Sequence, residues 1–509
     1  MIRPPDQDAR TTAWQCFDKN IAVTAGAGTG KTRVLVDRHL GWILGEAWTR
    51  PEWNTHASVA TSIVAITFTE KAAGEMADRI TRSLRRIAGY KDAGLDERES
   101  AYVDELGLAI ADKWALTTEL VRERAEELVQ QAHRLEVSTI HAFAANVLRR
   151  YPLAARIRPD FQIDADRSQR RSLLTERLVE TTKDALRGPR SADVVRILSS
   201  VGMDDLRALM EGWLDCDFDG NLGASPAWSP VAKQCHTLAG ILEDIEESVG
   251  TRSQTKLLRL RDALRNVAAL LDEHGDAFMA DPRAWLETTA GDAFRSLRKD
   301  KLADYPAPTI ATKMGPAVDE FRVGALAVAT FVEEVVRADP SLIEHIVAIY
   351  SPMVADTRRA LWGAGLLSYD DLLRLTKHVL ADHTHIATAI AEAHGQILVD
   401  EFQDTSPTQC AILEAIQRVA KRPFLFVVGD PKQSIYSFRG ADLAAYEAFV
   451  EGLDLQLKLT ANFRSQAHLV TTLNDGFDRL FVETSRLQPA PQTLSATVEP
   501  IVDQDTVCL

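Results

Sequence analysis

Ile21-Ala22-Val23-Thr24 runs into Ala25-Gly26-Ala27-Gly28-Thr29-Gly30-Lys31-Thr32, and an amphipathic pattern continues from Thr32 to Leu44. The apolar run reads as a strand, the glycine-rich stretch as a loop and the sequel as a helix. Gly26, Gly28 and Gly30 let successive backbone N–H groups turn toward one anion, where a Cβ would block the approach or forbid the dihedral angles. In that setting Lys31 reaches the β and γ phosphates of a nucleotide, and Thr32 offers its hydroxyl to magnesium. Ala25 stands where the G-x-x-x-x-G-K-[ST] pattern opens on glycine, and Arg33 follows directly. Residues Ala25 to Arg33 are therefore the candidate phosphate-binding segment.

Further β-like runs lie at Ile63–Phe68, Val137–Thr139, Ile397–Val399, Phe424–Val428 and Leu455–Leu459. Several are apolar on consecutive residues, as strands covered by helices on both faces are. They predict an α/β fold around a parallel sheet. The middle, from Arg167 to Leu361, reads differently: Leu257, Leu260, Leu264, Val267 and Leu271 recur at helical spacing, and Leu173 to Leu186 is a second amphipathic stretch. It predicts an inserted helical region, with Gly223 to Pro230 and Asp304 to Pro316 as loops. The basic run Arg295 to Lys301 reads as a solvated helix face in preference to a phosphate contact.

The 509-residue chain is long enough for roughly two to four domains. Its net charge of −15 argues against a general nucleic-acid coat and a basic membrane-surface protein, while leaving room for a local DNA track. Five scattered cysteines without C-x-x-C argue against a metal cluster or a disulfide framework. The start is polar, and the best apolar run, Val323 to Val332, is about half a membrane span. A cytoplasmic protein with no membrane segment is expected.

A phosphate loop needs a partner that holds magnesium and activates water. Gln396-Ile397-Leu398-Val399-Asp400-Glu401-Phe402-Gln403-Asp404 supplies one, because an apolar strand delivers Asp400 and Glu401 to the sheet edge. Asp400 would bind magnesium through water, and Glu401 would serve as general base. Asp400 follows Lys31 by 369 residues, so a large insertion must loop out between them. Another buried strand, Phe424 to Val428, leads through Gly429 and Asp430 to Gln433, whose amide is placed to sense the γ phosphate. Tyr436 and Phe438 beside Arg439 suit either stacking on unpaired bases or core packing. In Asn462-Phe463-Arg464-Ser465 the arginine either reaches the γ phosphate from a second domain or is a surface residue.

Together these segments resemble the N-terminal half of a UvrD/Rep-like superfamily 1 DNA helicase, nearest the AddA/RecB-type ATP-dependent exonuclease subunits. Seven stretches carry the resemblance in order: DQDAR at Asp6, AGAGTGKT, TFTEKAAGEM at Thr67, STIHAF at Ser138, DEFQD, GDPKQSIYSFRGAD at Gly429, and ANFRS at Ala461. LLSYDDLL at Leu366 and the Phe of ANFRS lean toward the AddA/RecB branch. The resemblance implies that Gln7 reads adenine, Phe463 packs on its face and Arg464 contacts the γ phosphate. It places Phe68, His141, Tyr436 and Phe438 along single-stranded DNA, favouring the stacking role for the last two.

The resemblance further implies a RecA-like P-loop NTPase sheet, domain 1A, formed by residues 1–155 and 365–454. A helical domain 1B occupies 156–364, and only the beginning of a second RecA-like domain, 2A, follows at 455–509. The implied activity is ATP- and magnesium-dependent 3′-to-5′ movement on single-stranded DNA with separation of double-stranded DNA, in repair or recombination. A second helicase-nuclease subunit is the implied partner. Two motifs and a second arginine that the family carries after ANFRS are absent, so the chain reads as the N-terminal portion of a longer helicase, with little unwinding of its own. The rival reading is a non-motor ATP- and DNA-binding subunit.

Overall fold

The computed structural model describes residues 4–216, 228–246, 251–280, 308–315, 317–337, 340–422, 424–434, 443–480 and 493–498, with Phe294 and Leu297. The chain divides into two compact units, Met1–Ala165 with Trp362–Leu509, and Asp166–Leu361.

The first unit is built on a parallel sheet. Its strands are β1 (Ile21–Ala25), β2 (Ile63–Thr67), β3 (Glu136–Thr139), β6 (Gln396–Val399), β7 (Leu425–Gly429) and β8 (Leu455–Leu459), while β4 (Gln162–Ile163) and β5 (Leu366–Leu367) form a separate parallel pair. The six strands lie in the order β3-β2-β6-β7-β1-β8. Every pairing is parallel, so all the strands end at one edge.

Consecutive apolar residues explain why helices cover both faces. Val64, Ile66, Ile397, Val399, Leu425 and Val427 enter one core. Their neighbours Ile63, Ala65, Leu398, Phe426 and Val428 enter the other, with Ile21 and Val23 of β1. The edge strand β8 alternates instead, with Gln456 and Lys458 exposed and Leu459 buried. That alternation lets one face stay in water.

Helices α1 (Gln7–Gln15) and α2 (Lys31–Leu44) lie against this sheet. Arg38 of α2 is fully buried, and its guanidinium donates to the carbonyls of Ala13 and Cys16 at 2.7 and 2.8 Å and to Gln396 Oε1 at 2.8 and 3.2 Å. The rings of Phe17 and Phe426 lie 4.4 Å from it. With neutral acceptors in place of water, burial pushes its pKa down to about 9. Arg38 thereby pins the C-terminal end of α1 to β6, which fixes where the other end of α1 stands.

The second unit is helical. Helices Trp228–Asp244, Thr251–Ala280 and Ala317–Arg337 share a core of Leu238, Leu257, Leu260, Leu264, Val267, Leu271, Phe321 and Val328. The stretch read from Leu173 to Leu186 is the helix Ser168–Arg187, which buries Leu174 and Leu178.

Several expectations change. Within the segment read as a loop from Asp304 to Pro316, Pro308–Met314 is a helix. A proline at the first helical position loses no hydrogen bond, and Ile310 and Met314, four residues apart, are buried in the core of the unit. Pro230, read as loop, likewise sits in the first turn of Trp228–Asp244. Leu455–Leu459, expected to open a second domain, is β8 of the first sheet, paired with β1 from Ile21↔Leu455 to Ala25↔Leu459. The chain leaves that sheet only afterwards, where β9 (Ala461–Gln466) and β10 (Ser495–Val498) form a separate parallel pair. The basic residues of the run Arg295 to Lys301 lie outside the described residues. Among the described residues no helix is long and apolar enough to cross a membrane.

Candidate active site

The loop after β1 has the backbone that its glycines permit. Gly28 and Gly30 hold φ of +74° and +86°, a region that L side chains resist. A Cβ on Gly28 would also stand 2.7 Å from Arg464 Cβ. Thr29 is fully buried, its hydroxyl donating to Gly26 O at 2.7 Å. Gly30 is the N-cap of α2, and no side chain caps that helix. Its first N–H groups therefore remain available to an anion, with the positive end of the helix behind them.

The end of β6 meets this loop. Lys31 Nζ lies 2.7 Å from Glu401 Oε2, an ion pair between residues 370 apart in sequence. Glu401 occupies the left-handed region at φ +48°. Its N–H donates to Asp400 Oδ1 at 2.9 Å, and the Asp400 N–H donates to Ile66 O at 2.8 Å. Gln403, almost wholly buried, donates from Nε2 to Glu401 Oε2 at 2.9 Å and to Asp404 Oδ2 at 3.2 Å. Its carbonyl oxygen accepts from the Asp430 N–H at 2.8 Å. Gln433 closes the chain by donating to Asp430 Oδ2 at 2.6 Å. One amide thus joins the end of β6 to the end of β7.

Burial, and then the charge of Glu401, push the pKa of Asp400 up to about 6, and the same causes do so for Asp404. A hard divalent cation takes carboxylate and hydroxyl oxygens and relieves such a field. Asp400, with half-buried Thr32 on the first turn of α2, fits magnesium on both counts.

Strand β9 forms a wall against the loop. Asn462 Nδ2 donates to Ala27 O at 2.8 Å, and the Phe463 N–H donates to Gly28 O at 2.9 Å. Asn462 Oδ1 accepts from the N–H groups of Arg464 and Ser465 at 2.9 and 2.8 Å, an Asx-type turn. The Phe463 ring is 41% exposed, with Arg10 against it, and Arg464 is exposed. Gln7 stands on the first turn of α1, its amide donating to Thr11 Oγ1 at 3.3 Å. Arg33 turns aside, its guanidinium 3.9 Å from the centre of the Tyr102 ring, whose hydroxyl donates to Asp37 at 2.5 Å.

A second group gathers where β2 and β3 end. Phe68 follows β2 and is half-buried. His141 follows β3 and meets the ring of Tyr369 edge-on at 5.2 Å. Burial lowers the His141 pKa, against the pull of Asp370 and Glu70. Tyr436, Phe438 and Arg439 lie outside the described residues.

The structure thus brings Lys31 to Glu401, Gln403 to Glu401 and Asp430, and Asn462 and Phe463 to the loop. Sequence reading missed Asp6, Arg10, Gln403, Asn462 and Tyr369 as participants. All five lie inside quoted motifs, so the signal was present but attached to their neighbours.

Comparison with known proteins finds a family and several relatives. The UvrD/REP helicase N-terminal domain matches residues 6–453. An ATP-dependent helicase/nuclease subunit from Ligilactobacillus salivarius (strain UCC118) is 25% identical over 93% of this chain and 39% of its own length. The like-named proteins from Moorella thermoacetica and Desulforudis audaxviator are each 27% identical, over 94% and 91% of this chain and 35% and 39% of theirs. The chain spans well under half the length of these relatives.

Proposed function

The chain belongs to the UvrD/REP helicase family, and on that footing we propose that its first unit binds and hydrolyses ATP to drive 3′-to-5′ movement along single-stranded DNA. The observation that carries the reading is the Lys31–Glu401 ion pair, which joins the phosphate loop to the candidate general base. Residues 1–165 and 362–459 are read as motor domain 1A, residues 166–361 as the helical insertion 1B, a little shorter than the 156–364 expected, and β9 onward as the start of domain 2A.

In this reading Lys31 exchanges Glu401 for the β and γ phosphates. Released from that pair, Glu401 accepts the proton of the attacking water, while its bond from Gln403 keeps the carboxylate aimed. Thr32 and Asp400 would hold magnesium, which would neutralise phosphate charge. Arg464 supplies positive charge at the γ phosphate from β9, and Gln433 reports that phosphate to the chain that follows it. Gln7 and Phe463 select adenine. Phe68, His141 and Tyr369, with Tyr436, Phe438 and Arg439, line the DNA, where aromatic stacking tolerates any sequence.

The curated relatives are named as subunits of an ATP-dependent helicase/nuclease, which supports a role in DNA repair or recombination; a second helicase-nuclease subunit as partner and a place in the cytoplasm complete the proposal. ATP hydrolysis measured with and without single-stranded DNA tests the proposal. Stimulation by DNA that disappears in Glu401→Gln is expected. Hydrolysis indifferent to DNA, or a Glu401→Gln protein as active as the parent, would leave only a non-motor ATP- and DNA-binding subunit.

A further inference from the structure

Beyond the phosphate contacts, we infer that Arg10, held by Asp6, is a positioning residue for the nucleotide base, keeping the Phe463 ring in register with the phosphate loop. The inference rests on the reading of Ala25–Thr32 as an ATP site.

Arg10 uses its whole planar fork. Nε and Nη2 donate to the two oxygens of Asp6 at 2.7 and 2.8 Å, Nη1 donates to Thr29 O at 2.9 Å, and Nη2 also reaches Ala461 O at 3.3 Å. The guanidinium carbon lies 4.8 Å from the centre of the Phe463 ring. Asp6 is only 8% exposed, and its Oδ2 accepts from the N–H groups of Thr460 and Ala461 at 2.7 and 2.9 Å. Three pieces of chain therefore converge on one side chain: α1, the phosphate loop, and the distant start of β9.

The effect falls on the base because the loop has other supports. Thr29 is tied to Gly26 by its own hydroxyl, while Ala27 and Gly28 are tied to Asn462 and Phe463. For the ring, the cation is a direct partner. A guanidinium against an aromatic ring is attractive, more so where water is partly excluded. Being 41% exposed, the ring keeps surface for a base to cover. Lysine would keep the charge but not the flat fork that binds a carboxylate and two carbonyls at once.

The test compares ATP with inorganic tripolyphosphate, which has the phosphates but no base, by titration calorimetry in magnesium on the full chain. Arg10→Ala is expected to weaken ATP about tenfold, as lost cation–π and ring ordering imply, while tripolyphosphate changes by less than about twofold. Arg10→Lys should weaken ATP in the same selective way by a smaller factor. Equal weakening of both ligands would overturn the inference, since Arg10 would then act on the loop alone. Unchanged ATP affinity would overturn it as well. If circular dichroism shows Arg10→Ala unfolded, Arg10→Lys decides by the same ratio. A parent protein that binds neither ligand overturns the ATP-site reading, and the inference falls with it.

Discussion

The sheet unit and the helical unit are held together by different means, and the difference separates chemistry from scaffold. Around the phosphate loop, polar side chains bridge segments hundreds of residues apart: Lys31 to Glu401, Asn462 to Ala27 and Arg10 to Ala461. Among the described residues of the helical unit the core is apolar, and ion pairs such as Arg171 with Glu211 are largely exposed, the buried Arg170 against Asp215 being an exception. Exposed pairs contribute little to stability, so that unit rests on packing. Substitutions in the first unit should therefore change what the protein does, and those in the second how firmly it folds.

The largest effect expected is on turnover. Lys31→Ala and Glu401→Gln should each lower the ATP hydrolysis rate by roughly 10²–10⁴-fold, the first as loss of a charge-stabilising donor at the phosphates and the second as loss of a positioned base. Glu401→Gln should still bind ATP in a filter assay. A loss below about tenfold would mean that the ion pair is scaffold too, and the contrast between units would fail at its strongest point.

Next comes Leu264→Ala in the helical core, where the side chain is fully buried. A cost of about 2–5 kcal/mol in denaturant unfolding is expected, with unchanged ATP affinity in the folded protein. Weakened ATP binding at full folding would show that the units are not separable in this sense.

Gly28→Ala sharpens the contrast from the other side, since it removes no contact and adds one methyl group. That methyl meets Arg464 Cβ at 2.7 Å in a backbone at φ +74°. Left-handed backbone costs a non-glycine residue about 1–2 kcal/mol. Nucleotide affinity should fall by about tenfold, with little change in the melting of the helical unit.

The smallest effect concerns His39, which is fully buried in the first unit. Among the described residues neither ring nitrogen has a hydrogen-bond partner. Burial pushes its pKa down to about 3, so the fold holds it neutral while the unfolded chain takes up a proton near pH 6.5. Its contribution is present above pH 6.5 and lost as pH falls toward 3. His39→Leu should flatten that acid limb of the melting curve and raise the midpoint at about pH 5 by about 2–4 °C. An unchanged slope would place the acid sensitivity elsewhere.

How much of this was legible follows from what a sequence encodes locally. The strands, the glycine loop and the period of Leu257 to Leu271 were legible, because each is set by near neighbours. Gly28 and Gly30 announced their dihedral angles by lacking a Cβ. The reach of Arg10 to Thr29 O and of Asn462 to Ala27 O was not legible. Their targets are main-chain carbonyls, which every residue carries, so no letter marks the acceptor. Pro308 misleads because proline both ends helices and begins them, and only the burial of Ile310 and Met314 decides which. The boundary that the resemblance implies puts the departure of the chain from the first sheet before β8. Leu455–Leu459 was legible as a strand, but its pairing with β1 is a long-range choice that no local pattern marks.

The strand order has a consequence for the growing chain. β1 has β7 and β8 as its two neighbours, and those are made last among the six strands of the sheet. At about 5–20 residues per second, the synthesis of the roughly 400 residues from Ala25 at the end of β1 to Leu425 at the start of β7 takes roughly 20–80 s. Through that interval β1 has two bare edges, each a template for stray pairing. Pieces that end before residue 425 should therefore go to inclusion bodies however intact their phosphate loop, whereas pieces that run past 459 should stay in solution.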